Sequence, residues 1–384
     1  MLDGADVAGS LLSATSSRAP TAMCHLDCVQ LDVLHVLSTD LRRGAEMFGF
    51  DLHRALLARG VQSDICCLEP GSDGRQRLPV PALGRSRFSF AGLRALRRRA
   101  STARVVVAHG SSTLLACGIG LAGTGRPFVY VSIGDPRYWA GTRLRRWRAG
   151  WLIRRAAGVV AISPGAREVL LSHYGLAKQK VHVVPNGRPS DRFAPAGQNE
   201  RLAAREALGL PAAGSVIAII GALSPEKRVD VAIAAVARIP GAHLVVAGDG
   251  PERATLEAQA ERSAGNCVHF LGATTGPERV LAASDVLVLS SDSEGVPGVL
   301  IEAGLSGLPV VATDVGWVRD VVRPGVTGLL VSPRRPDQLA EAVRQALESR
   351  DKLGRGGREH CLAEFEMGPV TDKWQRMLAD LSPR

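Results

Sequence analysis

Short runs of branched apolar residues alternate along this chain with longer stretches in which apolar positions follow a helical period. The runs are short and bounded by Gly, Pro or polar residues, as expected of strands buried on both faces of a parallel sheet. Strands are predicted at residues 32–38, 61–68, 105–108, 128–133, 159–163, 181–184, 215–220, 244–247, 268–272, 286–289 and 308–312. This alternation predicts an α/β fold whose ligands bind at the carboxyl ends of the strands.

The segment from Asp285 to Asp320 shows the pattern most clearly. The strand at residues 286–289 is followed by a polar loop and by a helix predicted from Pro297 to about Ser306, which Gly307 and Pro309 end. The next strand follows, and a second helix is predicted to begin near Trp317. The segment therefore predicts a βαβα unit of a parallel sheet.

Two carboxylates and a helix amino terminus meet in this unit. Glu294 lies in the loop and Glu302 lies eight residues later, one turn into the helix. The amides of Gly298, Val299 and Leu300 are free donors at the positive end of the helix dipole, a natural seat for phosphate. A sugar nucleotide fits such a site. Its diphosphate is the anion, and the hydroxyls of its ribose and its hexose can donate to the two carboxylates. The alternative is that both acids are ordinary solvated side chains.

Candidate phosphate-binding residues also follow the first two strands of the second half. Gly221 opens a loop containing Lys227 and Arg228, and a cation before a helix start suits a diphosphate. Gly248 and Gly250 form a tight loop after the next strand, where glycines let a flat group approach the backbone. A solvated loop lysine and an ordinary turn are the alternatives.

In the first half, two residues lie at predicted strand ends or helix starts. Gly44 begins the helix predicted over residues 45–59, where its amide meets either a phosphate or only the helix cap. His109 follows the strand at residues 105–108, where a histidine is either a cap or a catalytic group.

These motifs resemble the donor-site signature of GT-B glycosyltransferases, family 4. The resemblance extends from about Leu34 to the carboxyl terminus and is more specific in the second half. The residues that carry it are Glu294-Gly295-x-Pro297, Glu302-Ala303, Gly307-x-Pro309, residues 310–313, Gly316 and residues 327–330, with Arg43-Gly44-Ala45-Glu46 and Pro185-Asn186-Gly187 in the first half.

The resemblance implies a GT-B architecture, in which two doubly wound Rossmann-like domains face each other across a cleft. The predicted division is a disordered leader at residues 1–30, an acceptor-side domain at 31–187, a linker at 188–213, a nucleotide-sugar domain at 214–367 and a helix at 368–384 that crosses back to the first domain. A length of 384 residues also suits two domains rather than one core.

The resemblance also implies residue roles. Glu302 would accept the ribose hydroxyls, Glu294 would bind the donor sugar, and Lys227 with Arg228 would stabilise the departing phosphate. Gly44, Gly298, Val299 and Leu300 would supply backbone donors, Gly248 and Gly250 would lie near the nucleobase, and His109 matches a recurrent active-site histidine. The chain departs from the family at Ala222, where relatives have an arginine, and at Gly134-Asp135, where many have a histidine.

Charge is unevenly distributed. Residues 1–190 hold 26 Lys and Arg against 12 Asp and Glu, whereas the remainder holds 21 against 25. The predicted helix around residues 143–155 interleaves arginines with Leu144, Trp147 and Trp151, which suits an interfacial helix on anionic lipid. An amphipathic helix with solvated arginines is the alternative that we favour, and nucleic acid ranks low because no binding module is recognisable.

Other sequence features bear on compartment. No stretch of 18 apolar residues predicts a transmembrane helix, and residues 1–30 lack the basic start of a secretory signal. The seven cysteines form no disulfide or metal framework, which indicates reduced thiols. We therefore expect a cytoplasmic protein, with peripheral attachment to the inner face of the plasma membrane as an alternative.

The expected function is transfer of a hexosyl unit from a nucleoside diphosphate sugar, UDP- or GDP-linked, with retention at the anomeric carbon. No Asp-x-Asp motif follows a strand, so neither a metal nor another cofactor is expected. The acceptor is a lipid-linked sugar, a saccharide or a natural product. The alternatives are a catalytically silent sugar-nucleotide binder or membrane-associated protein, and a sugar-nucleotide epimerase on the same fold.

Overall fold

The computed structural model of the chain describes residues 31–71, 77–134, 137, 142–274 and 276–381. The predicted leader at residues 1–30 and Asp135 lie outside the described residues. Within the described ranges the chain forms two six-stranded sheets, and every pairing between their strands is parallel. The predicted α/β class is confirmed.

The first sheet has the strand order β2-β1-β3-β4-β5-β6. Its strands are β1 (Leu31–Leu37), β2 (Ser63–Cys67), β3 (Ala103–His109), β4 (Phe128–Ser132), β5 (Gly158–Ala161) and β6 (Val181–Val183). The helices between them are α1 (Gly44–Ala58), α2 (Phe90–Ala100), α3 (Ser111–Gly120), α4 (Arg143–Arg155) and α5 (Pro164–Tyr174). Strands such as β4 and β5 are buried along their whole length, because helices cover both faces of the sheet.

The second sheet has the order β12-β11-β10-β7-β8-β9, the 3-2-1-4-5-6 order of a doubly wound domain. Its strands are β7 (Ser215–Ile220), β8 (Ala242–Ala247), β9 (Val268–Gly272), β10 (Val286–Leu289), β11 (Val310–Thr313) and β12 (Gly328–Val331). The helices are α6 (Gln198–Ala207), α7 (Val229–Val236), α8 (Arg253–Ser263), α9 (Pro277–Ala283), α10 (Gly298–Leu305), α11 (Pro336–Glu348), α12 (Arg350–Phe365) and α13 (Met367–Leu381).

Local sequence sets the ends of these helices. Ser163 caps α5 by accepting a hydrogen bond of 3.1 Å from the Ala166 amide, and Pro164 occupies the first turn, where its missing N–H costs nothing. Gly175 ends the helix in the left-handed conformation at φ +60°.

The prediction of a helix that begins near Trp317 is wrong. Only a short 3₁₀ turn forms, at Val318–Asp320, before β12. Two β-branched residues follow it, then Pro324, which lacks an amide donor, and Gly325 at φ +75°. These residues stop a helix that the preceding apolar spacing favours.

The chain crosses between the domains twice, and the two crossings are hydrogen-bonded to each other. The Arg188 amide donates to the Phe365 oxygen at 2.8 Å, and the Met367 amide donates to the Arg188 oxygen at 3.1 Å. After this point α13 runs along α1 of the first domain, where fully buried Trp374 lies 6.5 Å from the ring of Phe48.

Candidate active site

The second sheet reverses its strand order between β7 and β10, and the loops after these strands are joined. Ser290 Oγ donates to the backbone oxygens of Lys227 and Arg228, at 3.1 and 2.9 Å. The Asp292 amide donates to the Glu226 oxygen at 2.8 Å. Open parallel sheets bind ligands at such a switch point, beyond the carboxyl ends of the strands.

Lys227 and Glu294 form an ion pair across this crevice. Lys227 Nζ lies 2.6 Å from Glu294 Oε1, and Ser291 Oγ donates to the same oxygen at 2.6 Å. The Glu294 side chain is only 8% exposed, whereas that of Lys227 is 28% exposed. The ammonium group is thus accessible from the crevice, while the carboxylate is held in a fixed orientation beside it.

Arg228 lies apart from this pair, in a network of carboxylates. Its guanidinium contacts Asp230 at 2.7 Å and Asp292 at 3.5 Å, and Arg334 also pairs with Asp292 at 2.8 Å. The hydrogen bond to Asp230 raises the pKa of Arg228. We expected Arg228 to neutralise a phosphate, but its guanidinium is engaged by Asp230 and by Asp292, which it shares with Arg334. Among the described residues, no three His, Cys, Asp or Glu side chains gather as metal ligands.

Glu302 has an unexpected partner in Arg188. Arg188 Nε donates to Glu302 Oε1 at 2.7 Å, and Nη1 donates to Asn186 Oδ1 at 2.7 Å and to the Gly187 oxygen at 2.9 Å. The Arg188 side chain is 2% exposed. Sequence reasoning did not include Arg188 in the site, because only the preceding Pro185-Asn186-Gly187 was recognised as a motif.

A third charged group approaches this pair from the first domain. Asp51 on α1 is partly buried, and burial raises its pKa while Arg188 and Arg192 oppose the rise. The Glu302 charge raises it further. The linker arginine therefore interacts electrostatically with carboxylates of both domains.

The amino terminus of α10 supplies fewer unpaired donors than predicted. The Leu300 amide already donates to the Pro297 oxygen at 3.2 Å, so it is not available to a ligand. Gly298 and Val299 are in the first turn, where amides have no intrahelical acceptor. A Cβ at Gly298 would overlap the Arg188 guanidinium, which explains why glycine is needed there.

The predicted glycines after β7 and β8 pack against each other. A Cβ at Gly248 would overlap the Gly221 carbonyl oxygen, and a Cβ at Gly250 would overlap that of Leu223. The Leu223 amide donates to the Asp249 oxygen at 3.0 Å. These glycines allow two loops to touch through their backbones, and contact with a nucleobase stays a prediction.

Gly44 begins α1 at the solvent-exposed edge of the first domain. No atom lies within 4 Å of a Cβ built there, so the approach to its backbone is open. Glu46, in the same first turn, is buried, and burial raises the pKa of its carboxyl. The amide of Gly44 is thus accessible from solvent, whereas the motif's glutamate faces inward.

His109 ends its strand as predicted, but its side chain is buried. It is 2% exposed, and its Nε2 lies 3.0 Å from Nδ1 of fully buried His35. The Phe48 ring packs edge-on against it at 6.1 Å. Burial lowers the pKa of His109 to about 3, so both rings stay neutral at ordinary pH. The position at a strand end was predicted correctly, but the side chain points into the core rather than toward the crevice.

The two domains touch beside the site. A Cβ at Gly295 would lie 3.0 Å from the Gly134 Cα, and a Cβ at Gly165 would overlap the Trp317 indole. The Arg137 guanidinium stacks over the same indole at 6.0 Å. The loop that carries Glu294 is therefore in contact with the carboxyl edge of the first sheet.

Two family models match consecutive parts of the chain. The one described as Glycosyltransferase Family 4 matches residues 42–192, and the one described as Glycosyl transferases group 1 matches residues 200–360. Their boundary falls in the linker, and the second match contains Lys227, Glu294 and Glu302.

Curated relatives are similar over part of their length. The chain is 36% identical over 228 residues to the 2-deoxystreptamine glucosyltransferase of Streptomyces kanamyceticus, covering 56% of this chain and 58% of that protein. It is 36% identical over 221 residues to the D-inositol 3-phosphate glycosyltransferase of Nocardia farcinica, covering 54% and 48%. The chain thus spans about half the length of these relatives.

Solved structures share the whole architecture. Anabaena Alr3699/HepE in complex with UDP-glucose superposes with a TM-score of 0.80 at 21% identity, covering 91% of this chain and all of that one. Sucrose-phosphate synthase from Thermosynechococcus elongatus gives a TM-score of 0.77 at 20% identity, covering 91% and 99%. These likenesses confirm the predicted fold.

Proposed function

Since this chain belongs to the family 4-like glycosyltransferases of the GT-B fold, we propose that it transfers a hexosyl unit from a nucleoside diphosphate sugar to a hydroxyl acceptor. The reaction retains the configuration of the anomeric carbon and needs no metal ion. The donor binds to the second domain, and the acceptor approaches from the first.

The observation that carries this proposal is the Lys227–Glu294 pair at the switch point of the second sheet. The cation and the carboxylate lie 2.6 Å apart beside the first turn of α10. In a sugar diphosphate, the phosphate end suits the cation and the sugar end suits the carboxylate. On donor binding, Lys227 exchanges its carboxylate partner for a phosphate oxygen, and Glu294 accepts hydrogen bonds from sugar hydroxyls. The Gly298 and Val299 amides donate to the phosphates.

The chemistry requires little from the protein beyond orientation and charge. The bond between the anomeric carbon and the phosphate oxygen breaks while the acceptor oxygen bonds to the same face of that carbon. The departing diphosphate takes the acceptor proton, and Lys227 stabilises its growing charge. Lys227 has to release one carboxylate to reach a phosphate, whereas Arg228 would have to release both Asp230 and Asp292, so we assign this role to Lys227 and not to Arg228.

Glu302 accepts the ribose hydroxyls through the carboxylate that Arg188 orients. Arg188 Nε occupies Oε1, which leaves Oε2 as the acceptor for ribose. UDP is the first nucleotide to test, because HepE, one of the structural neighbours, was solved with UDP-glucose, and GDP is the second. The acceptor class and a cytoplasmic location remain predictions from the sequence.

The experiment is thermal unfolding with UDP-, GDP-, ADP- and dTDP-sugars, followed by slow hydrolysis of any donor that stabilises the protein. A donor at a hundred times its dissociation constant adds about 2.7 kcal/mol of stability. Glu302→Gln should remove this shift, whereas Glu348→Gln, an exposed glutamate on α11, should keep it. A folded protein that responds to no donor would contradict the proposal.

A catalytically silent binder is the second candidate, favoured by Ala222 and by the engagement of Arg228. It would show the thermal shift without hydrolysis or transfer. A sugar-nucleotide epimerase would convert the donor to a different sugar nucleotide in the absence of an acceptor. Analysis of the products of the same incubation separates the three activities.

A further inference from the structure

Helices α2, α3 and α4 form one outer layer on the first sheet. Gly118 of α3 lets Leu152 of α4 approach, since a Cβ there would lie 2.6 Å from Leu152 Cδ2. Gly120 lies in the same way against Leu96 of α2, 3.2 Å from such a Cβ. Helices that connect parallel strands run antiparallel to them, so α2 and α4 both begin at the carboxyl edge of the sheet. That is the edge that faces the cleft.

The outer side of α4 exposes a stripe of large apolar side chains. Leu144, Trp147 and Trp151 are 65%, 66% and 50% exposed, and their spacing of three and four residues places them on one side of the helix. The opposite side buries Leu152 and Ile153 in the domain core. The helix therefore already has its core-facing stripe, and the tryptophan stripe is additional to it.

Exposed apolar residues concentrate on this layer. In the described part of the chain, nine large apolar side chains are exposed, and six of them lie on these three helices or in the turn before α2. Besides the stripe on α4, they are Ile119 at the end of α3, Phe88, and Phe90, which is 82% exposed at the start of α2.

The same layer is almost entirely positive. Residues 77–157 contain 16 arginines and one acidic residue, Asp135. Within the described ranges, Arg143, Arg145, Arg146 and Arg148 pair with no carboxylate. Other arginines in the described ranges do have such a partner, as Arg99 has in Asp64 and Arg205 has in Asp285.

We propose that this layer, which we call the basic face (α2, α3 and α4), docks on an anionic membrane surface. Arginines without carboxylate partners match the charge of anionic headgroups, and tryptophans with leucine and phenylalanine insert at the boundary between headgroups and acyl chains. Single-stranded nucleic acid also binds arginines interleaved with aromatic rings, but base stacking would leave the exposed aliphatic Leu144 and Ile119 without a role. The docking that we propose is peripheral; no described helix has the length and hydropathy to cross a bilayer.

The orientation of α2 and α4 has a consequence for the cleft. Phe90, Leu144 and Trp147 lie at the starts of their helices, which is the carboxyl edge of the first sheet. Docking through them brings the mouth of the cleft to the headgroup layer. Docking does not depend on the proposed transfer reaction, and the two are tested separately.

The test is flotation of the full-length protein with vesicles of phosphatidylcholine, with and without 30 mol% phosphatidylglycerol as the probe. The wild-type protein should float with the anionic vesicles. When only neutral vesicles are present, it should remain in the dense bottom fraction. Trp147→Ser with Trp151→Ser should reduce the bound fraction at least ten-fold. Each arginine neutralised, as in Arg145→Gln and Arg148→Gln, should weaken binding about five-fold.

Matched controls come from the second domain and the linker. Leu202→Ser and Val326→Ser remove exposed apolar residues elsewhere, and Arg319→Gln with Arg335→Gln removes exposed arginines, so these variants should bind as the wild type does. Equal binding to neutral vesicles, or full binding by the tryptophan variant, would overturn the proposal. So would absence of vesicle binding together with tight binding of RNA, or a tryptophan-dependent dimer that ignores vesicles. The donor-induced thermal shift of each variant reports separately on the transfer site.

Discussion

Arg188 Nε and Glu302 Oε1 lie 2.7 Å apart, and their residues are separated by 114 positions in the chain. The arginine belongs to the crossing between the domains, and the glutamate lies within the proposed donor site. The pair therefore ties the orientation of a carboxylate that we propose to bind the donor to the segment that crosses between the domains.

We expect Arg188→Met to destabilise the protein by about 3 kcal/mol, because it leaves a mostly buried carboxylate without its partner. Adding Glu302→Gln removes the unpaired charge and should recover part of the loss. Urea unfolding of the two single variants and the double variant measures the coupling, which should exceed about 1 kcal/mol. Additive losses would mean that the two side chains do not interact in solution.

Lys227→Met should lower kcat about 100-fold, since the ammonium group acts mainly on charge that develops in the transition state. The KM for the donor should change much less. Lys352→Met, at an exposed lysine on α12, is the matched control and should leave both constants unchanged. A rise in KM with an unchanged kcat would show that Lys227 only binds the donor.

The buried pair His35 and His109 predicts acid sensitivity. A histidine whose folded pKa is lowered stabilises the fold fully above its unfolded pKa, near 6.5, and loses that stability as pH falls toward the folded value. With the pKa of His109 at about 3, its contribution falls by about 2 kcal/mol between pH 7 and pH 5. His109→Leu should remove that part of the pH dependence of unfolding, and His173→Asn should not. If His109→Leu unfolds with the wild-type pH dependence, the ring is not buried as a neutral group.

Gly248→Ala should cost about 3 kcal/mol or more, because the new methyl group overlaps the Gly221 carbonyl oxygen and forces two loops apart. Gly44→Ala meets nothing within 4 Å and should leave stability unchanged. Thermal unfolding compares the two variants. The donor-induced shift should also be lost in Gly248→Ala, since the loop after β7 carries Lys227.

Much of the second sheet could be predicted from the sequence, because buried parallel strands form apolar runs that Gly, Pro or polar residues bound. The strands at residues 215–220, 268–272 and 286–289 have the predicted bounds. Helix α3 was not predicted, because its sequence is apolar on all sides and contains Gly118 and Gly120. Those glycines allow close packing against α2 and α4. Such tertiary contacts cannot be predicted from a local sequence pattern.

Site residues could be predicted by motif, but their partners could not. Lys227 and Glu294 were assigned to one site, whereas the 2.6 Å contact between them depends on the adjacency of β7 and β10. The prediction for Arg228 rested on its position beside Lys227. Its backbone is left-handed, at φ 48°, and its side chain is directed to Asp230 and Asp292. The inward direction of His109 depends on His35, which lies on a neighbouring strand.

Helix α13 has a consequence for the order in which the protein can be completed during synthesis. Trp374 fills the space beside Phe48, so the first domain obtains part of its core from the last helix. The first domain leaves the ribosome early. Because α13 follows the second domain in the chain, the apolar groove along α1 stays uncovered until the second domain has also been made. The nascent first domain therefore exposes this groove to chaperones until α13 has been made.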